Sequence, residues 1–249
     1  WLGWQILEFL KTFRPDGVLL VDYGGFNLRL AQFLKGAGYK VYFYIMPQIW
    51  ASRLGRIKKI KRYVDHVFCT FPFEASLYRA AEIPYTYAGH PLLSQLPPPT
   101  KREVFCNRYK LNPEHRILGV FPGSRKLETD HLMEPMLEAV AKLKQDDPNL
   151  QVVLAKASSL KDPYFYKVFN NSLSKQSNLT QGDVRIIEHD NHAVLSACDA
   201  VVMASGTVTL EAAIYHTPMV ITYKGPWLPY QIVRRVCYLP CLGLPNILC

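Results

Sequence analysis

The fold class follows from residues 17–46, GVLLVDYGGFNLRLAQFLKGAGYKVYFYIM. This stretch contains two short apolar runs, Val18–Asp22 and Lys40–Met46, whose composition is typical of buried strands. Between them, Leu28–Lys35 has apolar residues at helical spacing. A strand, a helix and a second strand predict a parallel pair, because parallel strands need a crossover connection. The stretch therefore predicts an α/β fold.

The same alternation continues toward residue 90. It consists of a helical segment, a strand and a further helix: Leu54–Tyr63, His66–Thr70 and Glu74–Ala81. After Gly89-His90-Pro91 the alternation stops, and the proline-rich Leu96–Thr100 favours neither a helix nor a central strand. We expect a first domain over residues 1–92 and a linker over residues 93–112.

A second alternating region follows the linker and predicts a second α/β domain over residues 113–249. It has a long helical segment, Leu132–Lys144, and five strand-like runs: Arg116–Phe121, Gln151–Ala155, Asp183–Glu188, Ala200–Met203 and Met219–Tyr223. Turn-forming residues follow Phe121 and Met203 directly. Ligands of open α/β sheets bind at the carboxyl ends of the strands, so these two turns are the candidate site.

Composition limits the class of protein. The chain has 249 residues, 49% of them hydrophobic and 20% charged, with a net charge of +9, which indicates a folded protein that suits anionic partners. No apolar run is long enough to span a bilayer, and the six cysteines show no disulfide or metal-site spacing. We expect reduced thiols, a cytoplasmic location, no metal and no cofactor. The first residues lie within an amphipathic segment without an initiator Met, which we interpret as truncation.

The turn after Met203 carries a candidate nucleotide site. In Ala204-Ser205-Gly206-Thr207, a glycine and two hydroxyls precede a helix, where a phosphate is attracted to unpaired N–H groups. Glu211 follows one helical turn later, where its carboxylate could accept hydrogen bonds from a ribose diol. The alternative is an ordinary Ser/Thr cap with a helix glutamate.

The turn after Phe121 contains Gly123-Ser124-Arg125, followed by Glu128. An arginine has planar, permanently charged donors that suit a diphosphate, so Arg125 is the candidate for binding one. The alternative is a surface arginine beside a helix start.

Three polar residues stand out in the first half. Asp22 ends a buried-type strand and is the candidate general base, although it could instead cap the following helix. His90 could bind phosphate or fix its loop, and we favour the structural role slightly. Glu74 could belong to a helix start or to the site.

A basic helix is predicted around residues 53–64. Apolar Leu54, Ile57, Ile60 and Val64 would form its buried stripe, and its basic residues are Arg53, Arg56, Lys58, Lys59, Lys61 and Arg62. This face could be merely solvated, or it could bind an anionic membrane surface. We find no nucleic-acid-binding module, and therefore expect no nucleic-acid partner.

Taken in order, the motifs resemble those of the lipid-A-disaccharide synthase family. The matching segments are Asp22–Asn27, Pro47–Ala51, Pro72–Glu74, Gly89–Pro91, Pro122–Glu128, Ala204–Glu211, Pro218–Val220 and Leu244–Asn246. The resemblance implies a GT-B glycosyltransferase with two Rossmann-like domains facing a cleft, the first of them incomplete in this chain. It implies that the first half binds the acceptor and the second half binds UDP.

The resemblance also implies a reaction of bacterial lipid A and lipopolysaccharide biosynthesis. UDP-2,3-diacylglucosamine and 2,3-diacylglucosamine 1-phosphate would give a β-1,6-linked disaccharide with inversion, without a metal, at the inner face of the cytoplasmic membrane. Asp22 and Arg125 match the family's essential aspartate and arginine. The nucleotide-site residues implied are Gly123, Ser124, Glu128, Ser205, Gly206, Thr207, Glu211 and Asn246.

One departure from the family pattern concerns the first half. The second acidic residue of the family's Asp-x-x-Asp-Phe-Asn segment is Gly25 here, which we expect to loosen the loop that holds Asp22. Three alternatives stay open: another UDP-sugar enzyme of the GT-B type such as an epimerase, a non-catalytic UDP- or lipid-binding remnant, and a basic nucleic-acid binder.

Overall fold

The computed structural model describes residues 2–52, 54–224 and 243–248. Two compact units divide between Gln95 and Leu96. Each unit is built from helices packed on a parallel β-sheet. The α/β architecture with parallel sheets that the sequence predicts is therefore confirmed.

The first unit contains a four-stranded sheet with the strand order β1-β2-β3-β4. Its strands are β1 (Gly17–Val21), β2 (Lys40–Tyr44), β3 (His66–Cys69) and β4 (Tyr85–Tyr87). Its helices are α1 (Leu2–Phe13), α2 (Gly24–Gly36), α3 (Ile49–Ser52), α4 (Ile57–Tyr63), α5 (Pro72–Ala80) and α6 (Leu92–Gln95), and a 3₁₀ turn spans Leu54–Arg56.

Sequence alternation explains the core of this unit. Val41 and Phe43 of β2 are fully buried, whereas the residues between and beside them are less so. They pack with Leu34 of α2 and Ile60 of α4 in one cluster. Because side chains alternate across a strand, one face of the sheet receives these apolar residues. The apolar stripe predicted for the basic helix is only partly buried. Ile60 and Val64 are buried, whereas Leu54 is exposed and lies in the 3₁₀ turn.

The second unit contains a five-stranded parallel sheet with the order β7-β6-β5-β8-β9. Its strands are β5 (Ile117–Phe121), β6 (Gln151–Lys156), β7 (Val184–Glu188), β8 (Ala200–Ala204) and β9 (Met219–Thr222). Its helices are α7 (Arg102–Tyr109), α8 (Lys126–Asp146), α9 (Asp162–Leu173), α10 (Asn191–Ala197), α11 (Val208–Ile214) and α12 (Leu244–Leu248), and a 3₁₀ turn spans Gln181–Asp183.

Strand order in this sheet places a ligand site. The chain moves outward from β5 through β6 to β7 and then returns to the other side of β5 with β8. Such a reversal is the topological switch point at which open α/β sheets bind ligands, at the carboxyl ends of the strands. Apolar clusters cover both faces of the sheet, so its strands are buried as continuous runs.

The segment expected to be a linker, residues 93–112, contains helix α7. Phe105 and Cys106 of this helix are fully buried in the core of the second unit. The guanidinium of Arg102 donates to the carbonyl oxygens of Pro113, His115 and Ala197 and pairs with Asp199. The expected linker of residues 93–112 is therefore not a connection throughout, because α7 is anchored to the second unit by packing and by Arg102.

Within the described ranges, no helix combines the length and the apolar composition that crossing a bilayer requires. The predicted basic residue Arg53 lies outside the described residues. Lys58, Lys59, Lys61 and Arg62 of α4 are exposed, as the sequence predicts for the outer face of this helix.

Candidate functional site

A pocket of about 320 Å³ lies at the carboxyl edge of the second sheet. This volume is within the range of roughly 300–1,000 Å³ that is usual for small-molecule sites. Its lining residues are Phe121, Gly123, Ser124, Arg125, Glu128, Ala155, Ala157, Asn191, Ala204, Ser205, Gly206, Thr207, Val208 and Glu211. The structure thus brings together every site residue predicted for the second half except Asn246.

Gly123 forms a turn that only glycine accommodates. Its φ angle is +112°, and a Cβ atom added there would lie 2.5 Å from Cβ of Glu128. Both the left-handed conformation and the close approach exclude a side chain. The turn therefore brings the backbone of residues 123–125 directly against the first turn of α8.

The carboxylate of Glu128 holds this turn. Its Oε2 atom accepts hydrogen bonds from the backbone N–H groups of Ser124, at 3.1 Å, and Arg125, at 3.3 Å. Its Oε1 atom accepts from Nη1 of Arg125 at 2.8 Å. These bonds explain why α8 begins at Lys126, before the predicted Leu132, because Glu128 pairs N–H groups at the helix start that would otherwise lack partners.

Arg125 carries a charge at the mouth of the pocket. Its side chain is 80% exposed, whereas that of its partner Glu128 is 22% exposed. Ser159 donates its hydroxyl to the carbonyl oxygen of Ser124 at 2.7 Å, which fixes the loop from a second side. The guanidinium is therefore accessible on a backbone that is fixed. Ser159 was not predicted, since it lies in a separate loop.

The second turn of the pocket connects β8 with α11. The N–H group of Ser205 donates to the carbonyl oxygen of Thr222 at 3.1 Å, which ties the turn to β9. Thr207 occupies the cap position of α11 without a capping hydrogen bond from its side chain. Thr209 instead donates its hydroxyl to the carbonyl oxygen of Gly206 at 2.7 Å. Thr207 therefore does not cap this helix through its hydroxyl.

Glu211 lies on α11 inside the pocket. Burial raises the pKa of its carboxyl group, and His192 acts in the opposite direction. Nδ1 of His192 lies 3.7 Å from Oε2 of Glu211. Asn191 of α10 also lines the pocket, and its Oδ1 atom is buried without a hydrogen-bond partner in the described chain. Sequence reasoning missed Asn191, although its position just after β7 is a signal that could have indicated it.

Asn246 is the one predicted residue of the second half that is not among the lining residues. It lies exposed on α12, a helix that is adjacent to α11. A Cβ atom added at Gly243 would lie 2.5 Å from Oδ1 of Asn246, so the chain approaches this side chain closely.

In the first unit, Asp22 follows β1 at the carboxyl edge of the sheet. It is exposed, and within the described chain its carboxylate forms no hydrogen bond. Helix α2 begins at Gly24 with Tyr23 at its cap position and without a side-chain capping bond. The alternative that Asp22 caps α2 is therefore not realised, and the carboxylate is available to a ligand.

Glycines 24 and 25 have different surroundings. A Cβ atom at Gly24 would lie 1.8 Å from Cγ of Pro47, so this position needs a glycine. A Cβ atom at Gly25 would meet nothing within 4 Å, so the family's aspartate would fit there. The loop is fixed by Gly24 against Pro47 and does not rely on a side chain at residue 25.

Glu74 is buried, with 1% of its surface exposed. Its Oε2 atom accepts from the N–H groups of Thr70, at 3.0 Å, and Phe71, at 3.1 Å, and its Oε1 atom accepts from Nε1 of Trp50 at 3.2 Å. Of the two roles considered for Glu74, the structure shows the helix-start carboxylate.

His90 lies half-buried after β4. Its Nδ1 atom accepts from the N–H group of Leu92 at 3.3 Å, and its ring lies 5.5 Å from that of Phe71. Burial lowers the pKa of His90. These contacts support the structural role, because a ring with one nitrogen already bonded to its own loop fixes that loop.

Among residues 2–52, 54–224 and 243–248, no group of three or more His, Cys, Asp or Glu side chains could hold a metal ion. The polar groups that do converge in the second unit are those of the pocket at β5 and β8.

Comparison with known proteins gives consistent results. A model of the lipid-A-disaccharide synthetase family matches residues 4–249. The lipid-A-disaccharide synthase of Trichlorobacter lovleyi is 41% identical over 243 residues, which cover 98% of this chain and 61% of the relative. That of Coxiella burnetii is 38% identical over 240 residues, which cover 96% of this chain and 61% of the relative. The chain thus spans about 61% of the length of these curated relatives.

Two solved structures show a similar fold. Anabaena HepE in complex with UDP has a TM-score of 0.57 and 15% identity, covering 92% of this chain and 65% of that chain. The UDP-GlcNAc 2-epimerase of Neisseria meningitidis bound to UDP-GlcNAc has a TM-score of 0.61 and 14% identity, covering 99% of this chain and 70% of that chain. At these identities the likeness concerns the fold alone, and it agrees with the expected GT-B type.

Proposed function

The chain belongs to the lipid-A-disaccharide synthetase family, and from this premise we propose that the protein is an inverting glycosyltransferase of bacterial lipid A biosynthesis. It transfers 2,3-diacylglucosamine from UDP to the 6-hydroxyl of 2,3-diacylglucosamine 1-phosphate and releases UDP. No metal and no cofactor enters this proposal.

The observation that carries the proposal is the pocket of the second unit. Two separate turns, one after β5 and one after β8, contribute their small and polar residues to a single pocket. A nucleoside diphosphate needs cationic and N–H donors for its phosphates and an acceptor for its ribose hydroxyls. Arg125, the turn 205–207 and Glu211 supply these groups within one pocket.

Each residue has a defined role in this proposal. The guanidinium of Arg125 binds the diphosphate and stabilises the negative charge that grows on it as the sugar departs. The carboxylate of Glu211 accepts hydrogen bonds from the ribose. Glu128 positions Arg125 through its hydrogen bonds, and Gly123 allows the turn to lie against Glu128. Gly206, whose Cβ position meets nothing within 4 Å, leaves the backbone open to the ligand. Asn246 remains a candidate contact from the adjacent helix α12.

Asp22 is the proposed general base. Its exposed carboxylate takes the proton of the acceptor 6-hydroxyl as that oxygen forms a bond to the anomeric carbon of the donor. The bond between the anomeric carbon and the β-phosphate oxygen of UDP breaks in the same step. A single displacement of this kind inverts the anomeric configuration and gives the β-1,6 link.

A membrane surface is the proposed location of the reaction. Helix α1 exposes Leu2, Trp4, Phe9 and Phe13, and the ring of Trp4 lies 6.3 Å from that of Phe33 in α2. Helix α4, which also packs against α2, exposes a row of lysines. Exposed aromatic groups on α1 and basic groups on α4 suit the interface of an anionic bilayer, where the lipid substrates reside.

Calorimetric titration with UDP and, separately, with ADP tests the nucleotide site. We expect selective binding of UDP to the second unit. Equal affinity for the two nucleotides, or no binding, would contradict the proposed donor site.

A transfer assay on the full-length protein tests the role of Asp22. We expect Asp22→Asn to abolish transfer and to leave the affinity for UDP unchanged, because the donor pocket lies in the other unit. Asp16→Asn is the matched control, since Asp16 is also an exposed carboxylate of the first unit. Transfer by Asp22→Asn at the control's rate would rule out Asp22 as the base.

Vesicle co-sedimentation tests the membrane surface. The double variant Lys58→Glu/Lys59→Glu should bind vesicles that contain phosphatidylglycerol less well than the unmodified protein does. The control, Lys110→Glu/Lys167→Glu, makes the same change of charge at exposed lysines of the second unit. Equal losses in the two variants would show that only net charge matters and that α4 is not the docking surface.

A further inference from the structure

The turn that presents Asp22 has an unfavourable backbone conformation. Asp22 has a φ angle of +50° and Tyr23 one of +42°, which places two successive non-glycine residues in the left-handed region. In the neighbouring turn after β2, the β-branched Ile45 has a φ angle of +55°. Each such residue costs of order 1–3 kcal/mol and persists only where surrounding contacts enforce it. Specific interactions must therefore hold the Asp22 turn.

One side chain provides two of these interactions. The Nδ2 group of Asn27, in the first turn of α2, donates one hydrogen bond to the carbonyl oxygen of Val21 at 3.0 Å and another to that of Asp22 at 2.8 Å. An amide nitrogen carries two hydrogens, so both bonds form together. Asn27 thus connects α2 to the peptide group before Asp22 and to the peptide group after it.

The opposite side of the turn is tied to β2. The N–H group of Asp22 donates to the carbonyl oxygen of Tyr44 at 3.0 Å, and Gly24 lies against Pro47. Both peptide groups of Asp22 are therefore bonded, whereas its carboxylate is left exposed. This arrangement fixes the direction of the side chain without using its oxygens.

We propose that Asn27 is a positioning residue for the transfer reaction: its amide, bonded to the carbonyl oxygens of Val21 and Asp22, holds the Asp22 carboxylate in the direction that proton removal requires. The inference rests on the proposed function, in which Asp22 is the base. Without these two bonds the turn relaxes toward negative φ angles, and the carboxylate moves. A displacement of about 1 Å at a reacting group can lower a rate by about 100-fold.

The test uses kinetics of the full-length protein with the variant Asn27→Ala. We expect kcat to fall by about 10- to 100-fold, while KM for the UDP-sugar changes by less than about twofold, because the donor pocket is untouched. An unchanged kcat, or a loss confined to KM, overturns the proposal.

The isosteric variant Asn27→Asp distinguishes hydrogen-bond donation from packing. A carboxylate has the shape of the amide but cannot donate to either carbonyl oxygen. We expect kcat to fall at least as far as in Asn27→Ala. Retention of kcat in Asn27→Asp would show that only the shape of the side chain matters.

A control in the same helix separates positioning from loss of stability. Ala31→Gly acts at a fully buried position of α2 away from Asp22 and should cost about 1 kcal/mol of folding free energy through helix propensity. We expect it to lower Tm and to leave kcat unchanged. An equal fall of kcat in Ala31→Gly would mean that general weakening of α2 explains the effect, and the proposal would be wrong.

Failure of this inference can be told apart from failure of the proposed function. If Asp22→Asn is inactive and Asn27→Ala has normal kcat, Asp22 remains the base and Asn27 does not position it. If Asp22→Asn is fully active, Asp22 is not the base, and the role of Asn27 falls with it.

Discussion

The start of α5 in the first unit and the start of α8 in the second use the same device. In each, a glutamate at the third helical position accepts hydrogen bonds from the two N–H groups that precede the helix. Glu74 bonds to Thr70 and Phe71 in this way, and Glu128 bonds to Ser124 and Arg125. Both turns follow parallel strands, β3 and β5. In each, one carboxylate oxygen accepts hydrogen bonds from both N–H groups.

The two strand-turn-helix corners, β3 to α5 and β5 to α8, differ in the group that donates to the second carboxylate oxygen of the glutamate. In Glu74 it accepts from the indole of Trp50, a neutral group, and the glutamate is 1% exposed. In Glu128 it accepts from the guanidinium of Arg125, whose side chain is 80% exposed at the pocket. The same pair of hydrogen bonds from backbone N–H groups to a glutamate therefore stabilises the fold in the first unit and presents a cation to the pocket in the second. A glutamate in a strand-turn-helix corner is not by itself evidence of ligand binding.

The largest effect that this comparison predicts is on stability. Glu74→Ala leaves two buried backbone N–H groups and the partly buried indole N–H group of Trp50 without their acceptor, so we expect the free energy of unfolding to fall by about 3–5 kcal/mol. Glu128→Ala should lower it by only about 1 kcal/mol, because water can reach the more exposed corner. Urea unfolding measures both values. Similar losses in the two variants would contradict the distinction drawn here.

Gly123→Ala tests the close approach in the second corner. We expect a loss of about 1–3 kcal/mol in the free energy of unfolding, because the new methyl group meets Glu128 and the φ angle of +112° is unfavourable for alanine. Gly25→Ala is the control, since nothing lies within 4 Å of its Cβ position. Thermal or urea unfolding gives both values. The prediction fails if Gly123→Ala is as stable as Gly25→Ala.

Arg125→Ala tests whether the second corner binds a ligand. The side chain is mostly exposed, so we expect the free energy of unfolding to change by less than about 0.5 kcal/mol. Affinity for UDP should fall by about 10- to 100-fold, because a charge-assisted contact to the diphosphate is lost. Calorimetric titration measures the affinity. Arg108→Ala is the control, since Arg108 pairs with Asp190 at 2.5 Å and does not line the pocket. Unchanged UDP affinity in Arg125→Ala would remove it from the site.

The smallest predicted effect is on the thermal stability of a Glu211 variant. No backbone N–H group of the described residues donates a hydrogen bond to the Glu211 carboxylate. Burial raises its pKa in the folded protein above the value of 4.5 that applies when it is unfolded. The folded state therefore binds this proton more tightly, and stability falls as the pH rises through 4.5 toward the raised value. Glu211→Gln should raise Tm at pH 7 and should not change it at pH 3. A Tm difference that is the same at both pH values would contradict this explanation.

Much of the fold followed from the sequence, because it depended on local patterns. The apolar runs of β1, β2 and β5 and the helical spacing of α2 lie within the predicted segments to within a few residues. The elements that were missed include α7, α10 and β4, which are short, and α7 is also held by the contact of Arg102 with Asp199. Helix α9, with 12 residues, was missed as well, although its buried residues Phe165, Phe169 and Ser172 lie at helical spacing.

The candidate site could also be predicted in part, for a reason of geometry. Residues that directly follow parallel strands meet at one edge of the sheet, so Arg125 and Thr207 were expected together and do line one pocket. Asn191 and Ser159 were not expected, since each joins the site or its supporting contacts from a loop whose position only the folded chain reveals.

The alternation of strands and helices, the positions of the polar turns and the family can all be read from residue order, because each depends on local patterns or motifs. The use of each polar group depends on the tertiary structure. Glu74 meets Trp50, Gly24 meets Pro47 and Ser124 meets Ser159 across gaps of many residues. Whether a carboxylate faces a ligand or a backbone N–H group depends on which donors the folded chain places within about 3 Å of it.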